Sequence, residues 1–372
     1  MNDSLKNLSP LDGRYQNKTE KSRELFSEFA LIKQRIKVEI LWLNYFLTNF
    51  KPELLTEKTK EKINTLKTNA PDHLIERVKE IENTTNHDVK AVELAVAEQF
   101  EESEEIQSLV HIFLTSEDIN SLSYALMLKD AHPFLLDWID EIIIALEDLA
   151  EKNKEVAMLA RTHGQPASPT TLGKELNVFA TRLKKEKRFL SDKKFYAKWG
   201  GATANYNPHL LAYPEEDWIK HSKEFLSNFG VKFTKVATQI EPHDYMADLF
   251  QNIQRVNNIL LDLTQDIWSY IAFDYFSLKM KKDEVGSSTM PHKVNPIDFE
   301  NAEGNLGLSN AIFSHLANKL TVSRLQRDLS DSTVLRNIGT GYGYFEIAQS
   351  STLKGLSKLE ANALNISKDL NG

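Results

Sequence analysis

The stretch at residues 246–273, MADLFQNIQRVNNILLDLTQDIWSYIAF, decides the fold class of this chain. Its apolar side chains recur every three or four residues, with no proline or glycine between them, at Leu249, Phe250, Ile253, Val256, Leu260, Leu263, Ile267 and Ile271. This spacing predicts one apolar stripe on a helix of about 28 residues, roughly 42 Å long. Helices of this length usually pack lengthwise in a bundle.

Three further segments have the same periodicity: residues 172–190, residues 134–153, and a run that begins after Pro296 and reaches Leu320. We therefore predict an all-α protein built as a long-helix bundle, which neighbouring subunits complete into a multi-subunit central helical bundle. Residues 1–105 differ, because their helical pieces are shorter. These pieces are predicted at residues 24–46, 57–67 and 88–100, with Pro52 and Pro71 between them. The predicted domains are thus an N-terminal helical domain at 1–105 and a central bundle domain at 106–355.

The composition narrows the possible functions. Hydrophobic residues make up 41% and charged residues 26% of the 372 residues, values that are ordinary for globular proteins. The chain has no cysteine, which excludes disulfides, thiolate zinc sites and cysteine nucleophiles. A net charge of −8 argues against general binding to nucleic acid. No run predicts a membrane span or a targeting signal, so we expect a cytoplasmic protein without a membrane partner.

Four polar segments interrupt the helical pattern: residues 84–88 (TTNHD), 115–120 (TSEDIN), 161–169 (RTHGQPASP) and 286–296 (GSSTMPHKVNP). Each adjoins a predicted helix end, where unpaired backbone N–H groups favour anions. Capping of those ends explains one side chain in each segment. Because each segment offers several polar groups, a shared polar pocket is the competing interpretation.

Two of these segments contain groups suited to proton transfer or to charge stabilisation. His163 precedes a glycine, which favours an irregular backbone; the imidazole fits either a structural hydrogen bond or acid–base catalysis. Lys293 follows Ser287 and Ser288 closely in the sequence, so its charge could anchor an anion or stabilise developing negative charge. An ordinary capped loop is the alternative. The histidines do not form a His-x3-His pair, so we expect no metal.

GSSTMPHKVNP resembles the GSSxMPxKxNP signature of the fumarase and aspartase superfamily, whose members eliminate fumarate from succinyl-type substrates. The further stretches SPLDGRY, TTNHDVKAVE, TSEDIN, RTHGQPASPTTLGKE, TQIEPHDY and SRLQRDLSDSTVLRN resemble the adenylosuccinate lyases of the bacterial type, over essentially the whole chain. The resemblance implies conversion of adenylosuccinate to AMP and fumarate, and of SAICAR to AICAR and fumarate, with no cofactor.

The resemblance also implies catalytic roles. Ser287 would be the general base that removes the proton beside a carboxylate, and His163 the general acid that protonates the departing nitrogen. Lys293 and Asn295 would stabilise the resulting aci-carboxylate, as such a dianion requires preorganised donors. Glu300 would pair with the catalytic histidine, although an ordinary first-turn glutamate explains it equally well.

The remaining implied positions bind substrate: Arg14, Tyr15, Asn86, His87, Asp88, Thr115, Ser116, Gln239, Ser288, Asn295, Arg327, Ser332 and Arg336. Three of them are arginines, which would supply a local positive field that the acidic chain lacks as a whole. The resemblance implies a homotetramer with active sites shared between subunits. It also implies a third, small helical domain, of which residues 356–372 would be the start. The alternatives are another lyase of the superfamily, acting on argininosuccinate or fumarate, and a helical scaffold without catalysis.

Overall fold

The computed structural model describes residues 3–279 and 294–371. Within these ranges the chain forms the following α-helices: α1 Glu20–Phe26, α2 Glu28–Phe50, α3 Glu57–Thr68, α4 Asp72–Thr85, α5 Asp88–Glu98, α6 Glu104–Leu109, α7 Ser116–Lys152, α8 Leu172–Ser191, α9 Asn207–Ala212, α10 Trp218–Ser227, α11 Asp244–Ala272, α12 Ile297–Leu320, α13 Ser330–Leu335, α14 Ile338–Leu356 and α15 Ala363–Asn371. The strands are β1 Ala157–Thr162, β2 Gln165–Thr171, β3 Tyr196–Ala197, β4 Lys232–Phe233, β5 Phe276–Leu278 and β6 Leu359–Ala361.

The long helices α7, α8, α11, α12 and α14 pack against one another along their lengths. The apolar stripe of α11 points into this bundle, and Phe250, Ile253, Leu260 and Leu263 are fully buried there. Helix α14 approaches α12 closely at its glycines. A Cβ atom on Gly341 would lie 2.8 Å from the ring of Phe313, so only glycine permits this approach. The predicted all-α long-helix bundle is confirmed.

The bounds of three long helices agree with their predictions, whereas the fourth begins much earlier. Helix α7 starts at Ser116 and runs for 37 residues through Pro133, so the predicted start at residue 134 was wrong. Proline inside a helix removes one backbone hydrogen bond and costs about 3 kcal/mol. The completely buried Leu122, Leu128 and Leu135 on either side of the proline offset that cost, at about 2 kcal/mol per side chain.

The first hundred residues are also helical, but they divide differently from the prediction. The segment predicted at 24–46 is two helices, because Ser27 takes an extended conformation and caps α2 by accepting a hydrogen bond from the N–H of Ala30. Helix α4 was not predicted, although Pro71 directly precedes it. The proposed domain boundaries at 105/106 and 355/356 stay predictions.

Three short strand pairs accompany the helices, and none of them was predicted. Strands β1 and β2 form an antiparallel hairpin, β3 and β4 pair in parallel, and β5 pairs with β6. The hairpin contains Pro166 and Pro169, which the sequence suggested were breaks between helices. None of the helices within residues 3–279 and 294–371 is long and apolar enough to cross a membrane.

Candidate active site

A polar cavity of about 320 Å³ lies where the N-termini of α5 and α7 meet α13. Its lining consists of Glu82, Asn86, His87, Asp88, Val89, Ser116, Glu117, Asn120, Arg327, Leu329, Ser332, Thr333 and Arg336. Seven of these residues are predicted substrate-binding positions, from three segments that are far apart in the sequence. Two cavities of about 740 Å³ lie elsewhere. We call the 320 Å³ cavity the arginine pocket, after Arg327 and Arg336.

Helix capping brings the polar residues to the rim of the arginine pocket. Asn86 ends α4 in a left-handed conformation with φ of 49°. His87 then caps α5, since its Nδ1 accepts a hydrogen bond from the N–H of Lys90 at 3.1 Å. Thr115 caps α7 in a capping box with Asp118. Capping and pocket formation therefore coexist here, because the caps leave the neighbouring side chains at the cavity.

Asp88 joins two arginines at one side of the pocket. Its Oδ2 lies 2.8 Å from Nη1 of Arg35 and 2.7 Å from Nη2 of Arg336. Burial of the carboxyl works against ionisation, but Arg35, the N–H of Val89 and Arg336 bring the pKa of Asp88 down from 3.8 to about 2. Asp88 is therefore ionised at neutral pH, and it fixes the position of Arg336.

Glu117 holds the other arginine of the pocket in the same way. Its Oε1 lies 2.8 Å from Nη2 of Arg327 and accepts a hydrogen bond from Asn120 at 2.7 Å. Asn120 in turn accepts a hydrogen bond from Nε of Arg35 at 2.9 Å. Burial raises the pKa of Glu117, an effect that the charge of Arg327 opposes. A continuous polar network thus connects both arginines of the pocket through the protein interior.

Arg327 donates one hydrogen bond within the pocket and has one buried donor without a partner among the described residues. Its Nη2 donates to the hydroxyl of Ser332 at 2.9 Å, while its Nε is buried without a hydrogen-bond partner among the described residues. An orphaned charged donor of this kind is costly unless an anion or water satisfies it. The guanidinium groups of Arg327 and Arg336, which line the pocket, suit an anionic group such as a phosphate or carboxylate.

A buried acid and a buried histidine lie close to Arg327, in the predicted segment TQIEPHDY. Glu241 accepts hydrogen bonds from the N–H of His243 at 2.6 Å and from the hydroxyl of Thr234 at 3.0 Å. Burial raises the pKa of Glu241 from 4.5 to about 7. Burial and the charge of Arg327 lower the pKa of His243 to about 4, so this imidazole is neutral at physiological pH.

The other predicted substrate-binding residues that the structure describes do not line the arginine pocket. Arg14 is exposed, and the hydroxyl of Tyr15 accepts a hydrogen bond from Asn301 at 3.1 Å. Gln239 donates a hydrogen bond to the carbonyl of Ala202 at 3.0 Å. Asn295 is half-buried just before α12. Thr115 is adjacent to the pocket but contributes its cap to α7 instead of a lining atom.

His163 is exposed at the tip of the β1–β2 hairpin, which we call the histidine hairpin. His163 and Gly164 both have positive φ, 54° and 73°, as a two-residue hairpin turn requires. Next to the turn, Nη2 of Arg161 lies 2.6 Å from Oδ2 of Asp369 in α15. The hydroxyl of Tyr275 donates to the same carboxylate. The hairpin is thereby tied to α15 and to the segment that leads into β5.

Of the remaining predicted catalytic residues, Glu300 lies in the first turn of α12. It accepts a hydrogen bond from Nε1 of Trp268 at 3.2 Å. Within the described part of one chain, Glu300 makes no hydrogen bond to His163, so the predicted pairing stays a prediction for contact between subunits. Ser287, Ser288 and Lys293 lie outside the described residues. Among the residues that the structure describes, no cluster of side chains could hold a metal ion.

Sequence reasoning missed Arg35, Glu117 and Asn120. Glu117 and Asn120 belong to the TSEDIN segment, of which only Thr115 and Ser116 were predicted to bind substrate. Arg35 lies inside α2 and is only 3% exposed. A single arginine on the apolar face of an amphipathic helix was the signal available, because buried charges require partners.

Comparisons with known proteins give relatives that match nearly the whole chain. A family model described as "Lyase" matches residues 13–310, and a second, described as "Adenylosuccinate lyase C-terminal", matches residues 323–372. An adenylosuccinate lyase of Legionella pneumophila is 52% identical over 374 residues, covering 99% of this chain and 82% of the relative. The adenylosuccinate lyase of Escherichia coli K12 is 49% identical, covering 96% of this chain and 80% of the relative.

Solved structures resemble the fold at lower sequence identity. A fumarate lyase from Mesorhizobium sp. BNC1 matches with a TM-score of 0.79 and 16% identity, covering 95% of this chain and 78% of that one. A 3-carboxy-cis,cis-muconate lactonizing enzyme from Pseudomonas putida also gives a TM-score of 0.79, with 17% identity and the same coverage. These two likenesses support the long-helix bundle.

Proposed function

The chain belongs to the adenylosuccinate lyase family, and from this premise we propose that it eliminates fumarate from adenylosuccinate, giving AMP, and from SAICAR, giving AICAR. The observation that carries the proposal is the arginine pocket, where seven predicted substrate-binding residues converge. Its two arginines suit a phosphorylated, carboxylated substrate.

The proposed reaction is an elimination in which one residue removes a proton and another donates one. Ser287 removes the proton from the succinyl carbon beside a carboxylate, and the resulting aci-carboxylate is stabilised by Lys293 and Asn295. The carbon–nitrogen bond then breaks as the carbon–carbon double bond of fumarate forms. His163 donates a proton to the departing nitrogen. No electron acceptor or metal takes part in this sequence.

We further propose that the enzyme is a homotetramer whose active sites combine segments from several subunits. His163 is exposed at the hairpin tip and does not line the arginine pocket of its own chain. Apolar side chains are also exposed on the long helices, at Ile144 (58%), Trp268 (46%) and Leu308 (49%). Such side chains are typical of surfaces that another subunit covers. We place the enzyme in the cytoplasm, since its proposed phosphorylated substrates do not cross membranes unaided.

Two alternatives predict different outcomes. Another lyase of the superfamily would act on argininosuccinate, or on fumarate and its hydration product malate, and none of these substrates carries a phosphate for Arg327 and Arg336 to bind. A non-catalytic scaffold would have no need for Ser287, His163 and Lys293, all of which are present. The arginine pocket therefore favours the phosphorylated substrate.

The test follows fumarate release from purified protein supplied with adenylosuccinate, SAICAR, argininosuccinate or malate. We expect release from the first two substrates only, and no release from any of them would overturn the proposal. The Ser287→Ala and His163→Ala variants should each lose at least a hundredfold in kcat. Undiminished release from Ser287→Ala would refute its role as base.

Mixing the two inactive variants tests the shared sites. After subunit exchange, some active sites would inherit neither substitution, so part of the activity should return. Absence of any recovery in mixtures whose subunits have demonstrably exchanged would contradict sites built from several subunits.

A further inference from the structure

Another buried ion pair lies next to the arginine pocket, between Asp118 in the first turn of α7 and Lys198. Both side chains are completely buried, and Nζ of Lys198 lies 2.9 Å from Oδ1 of Asp118. Burying two charges is costly, and an apolar pair of similar volume usually stabilises a fold at least as well. Stability alone therefore does not explain why this ion pair is buried.

The Asp118 carboxylate organises backbone on two sides. Its Oδ2 accepts hydrogen bonds from the N–H of Thr115 at 2.8 Å and from the N–H of Gly201 at 3.1 Å. Its Oδ1 accepts another from the N–H of Gly200 at 3.0 Å, beside the ammonium of Lys198. One carboxylate thus binds the entry to α7 and the residues 198–202, which we call the glycine loop.

Lys198 closes the glycine loop on itself. Its Nζ donates to the carbonyl of Gly201 at 2.8 Å. The hydroxyl of Ser121 accepts a hydrogen bond from the backbone N–H of Lys198 at 3.3 Å and donates one to the backbone carbonyl of Lys198 at 3.2 Å. Gly201 has φ of +80°, and a Cβ there would lie 3.1 Å from the carbonyl oxygen of Phe113. The loop is therefore pressed against the turn that leads into Thr115.

The glycine loop also carries a contact to a predicted substrate-binding residue. The carbonyl of Ala202 accepts the hydrogen bond from the Gln239 side chain. Asp118 also binds the start of α7, where Ser116 lines the arginine pocket and Thr115 directly precedes Ser116 in the chain. Asp118 and Lys198 consequently connect Thr115, Ser116 and Gln239, which come from segments more than a hundred residues apart in the sequence.

We propose that Asp118 and Lys198 are positioning residues, which hold Thr115 and Ser116 at a fixed distance from Gln239 so that both sides engage one substrate molecule. This inference rests on the proposed function. Neither residue touches the substrate; each acts through the backbone that it binds. Loss of the pair should therefore raise KM more than it lowers kcat.

The main test is the double variant Asp118→Asn/Lys198→Met, compared with its two single variants. Each single variant leaves one buried group without its counter-charge and should lose more thermal stability than the double variant. In the double variant we expect KM for adenylosuccinate to rise at least fivefold, while kcat changes less than threefold. Lys198→Arg is a second variant that keeps the charge but places a larger group of different shape in the same buried space. It should raise KM as well.

Leu146→Ala is the matched control, because Leu146 is fully buried in the same helix, roughly 45 Å from Ser116 along α7. It should lower thermal stability and leave KM unchanged. A folded double variant or Lys198→Arg variant with wild-type KM would overturn the proposal, as would an equal rise in Leu146→Ala. A wild type that releases no fumarate would instead refute the proposed function.

Discussion

Replacing Asp88 with asparagine removes one charge from the arginine pocket and preserves the shape of the side chain. In the folded protein, Oδ2 of Asp88 lies within 2.8 Å of both Arg35 and Arg336. If the asparagine oxygen keeps the hydrogen bond to the N–H of Val89, its amide nitrogen faces two guanidinium donors. The variant therefore loses two charge-assisted hydrogen bonds and gains a repulsive contact.

The pKa of Asp88 gives the size of the effect. Its fall from 3.8 to about 2 corresponds to about 2.4 kcal/mol, at 1.36 kcal/mol per pKa unit. Breaking a fully buried pair costs about 3–5 kcal/mol, an upper limit because Arg336 is 42% exposed. We expect Asp88→Asn to lower the free energy of unfolding by about 2–3 kcal/mol at neutral pH.

The same pKa shift fixes the pH dependence of that loss. Because the folded-state pKa of Asp88 is depressed, the stabilisation is complete above pH 3.8 and disappears as the pH falls through about 2. The difference between wild type and variant should therefore shrink in this acidic window. KM for adenylosuccinate should also rise about tenfold at neutral pH, because Arg336 loses the carboxylate that holds it.

Urea unfolding followed by circular dichroism, at one fixed protein concentration, measures the change in stability. Glu98→Gln is the matched control, since Glu98 ends the same helix and accepts two hydrogen bonds at 2.9 Å from Arg77. That pair is exposed and should contribute less than about 1 kcal/mol. Equal losses in Asp88→Asn and Glu98→Gln would refute the argument that burial makes the Asp88 contacts strong.

Two further predictions concern groups near the site. Burial raises the pKa of Glu241 from 4.5 to about 7, so the stability that its protonated form contributes is complete below pH 4.5 and is lost as the pH rises to 7. The free energy of unfolding of Glu241→Gln should therefore rise by up to about 3 kcal/mol relative to that of the wild type across this window. Thermal unfolding at a series of pH values checks this, and a constant difference would contradict it. Asp369→Asn should loosen the histidine hairpin by weakening its contact with Arg161, lowering kcat for fumarate release about fivefold with KM within twofold. A change in KM alone would show that the hairpin does not position the proposed acid.

The long helices could be predicted from sequence because their apolar side chains follow the period of the helix for many turns. The first half of α7 was missed because Pro133 is a poor helix residue by itself, and only the buried leucines around it reveal why it is tolerated. The histidine hairpin was missed for a related reason. Its prolines are unfavourable in a central strand, but they are compatible with an isolated two-stranded ribbon.

Asn86, His87, Asp88 and Ser116 could be found from sequence because they lie at helix starts, whereas Arg327, Ser332 and Arg336 were found only through the family resemblance. Their partners could not be found in the same way. Which carboxylate pairs with Arg327 or Arg336 depends on how α2, α5, α7 and α13 pack, and local sequence carries no information about that packing. Arg35 shows the difficulty most clearly, since it contacts Asp88 and Asn120 from a helix that lines none of the pocket.

The arginine pocket is completed late in the synthesis of the protein, because its paired residues lie far apart in the chain. Asp88 and Arg336 are 248 residues apart in the chain. At about 5–20 residues per second, roughly 12–50 s pass between their translation. During that interval Arg35 has been made but Arg336 has not, and Glu117 has not yet gained Arg327. A nascent chain that ends before α13 therefore contains the acidic side of the pocket without its basic side, so ligand binding can stabilise only chains whose synthesis has passed residue 336.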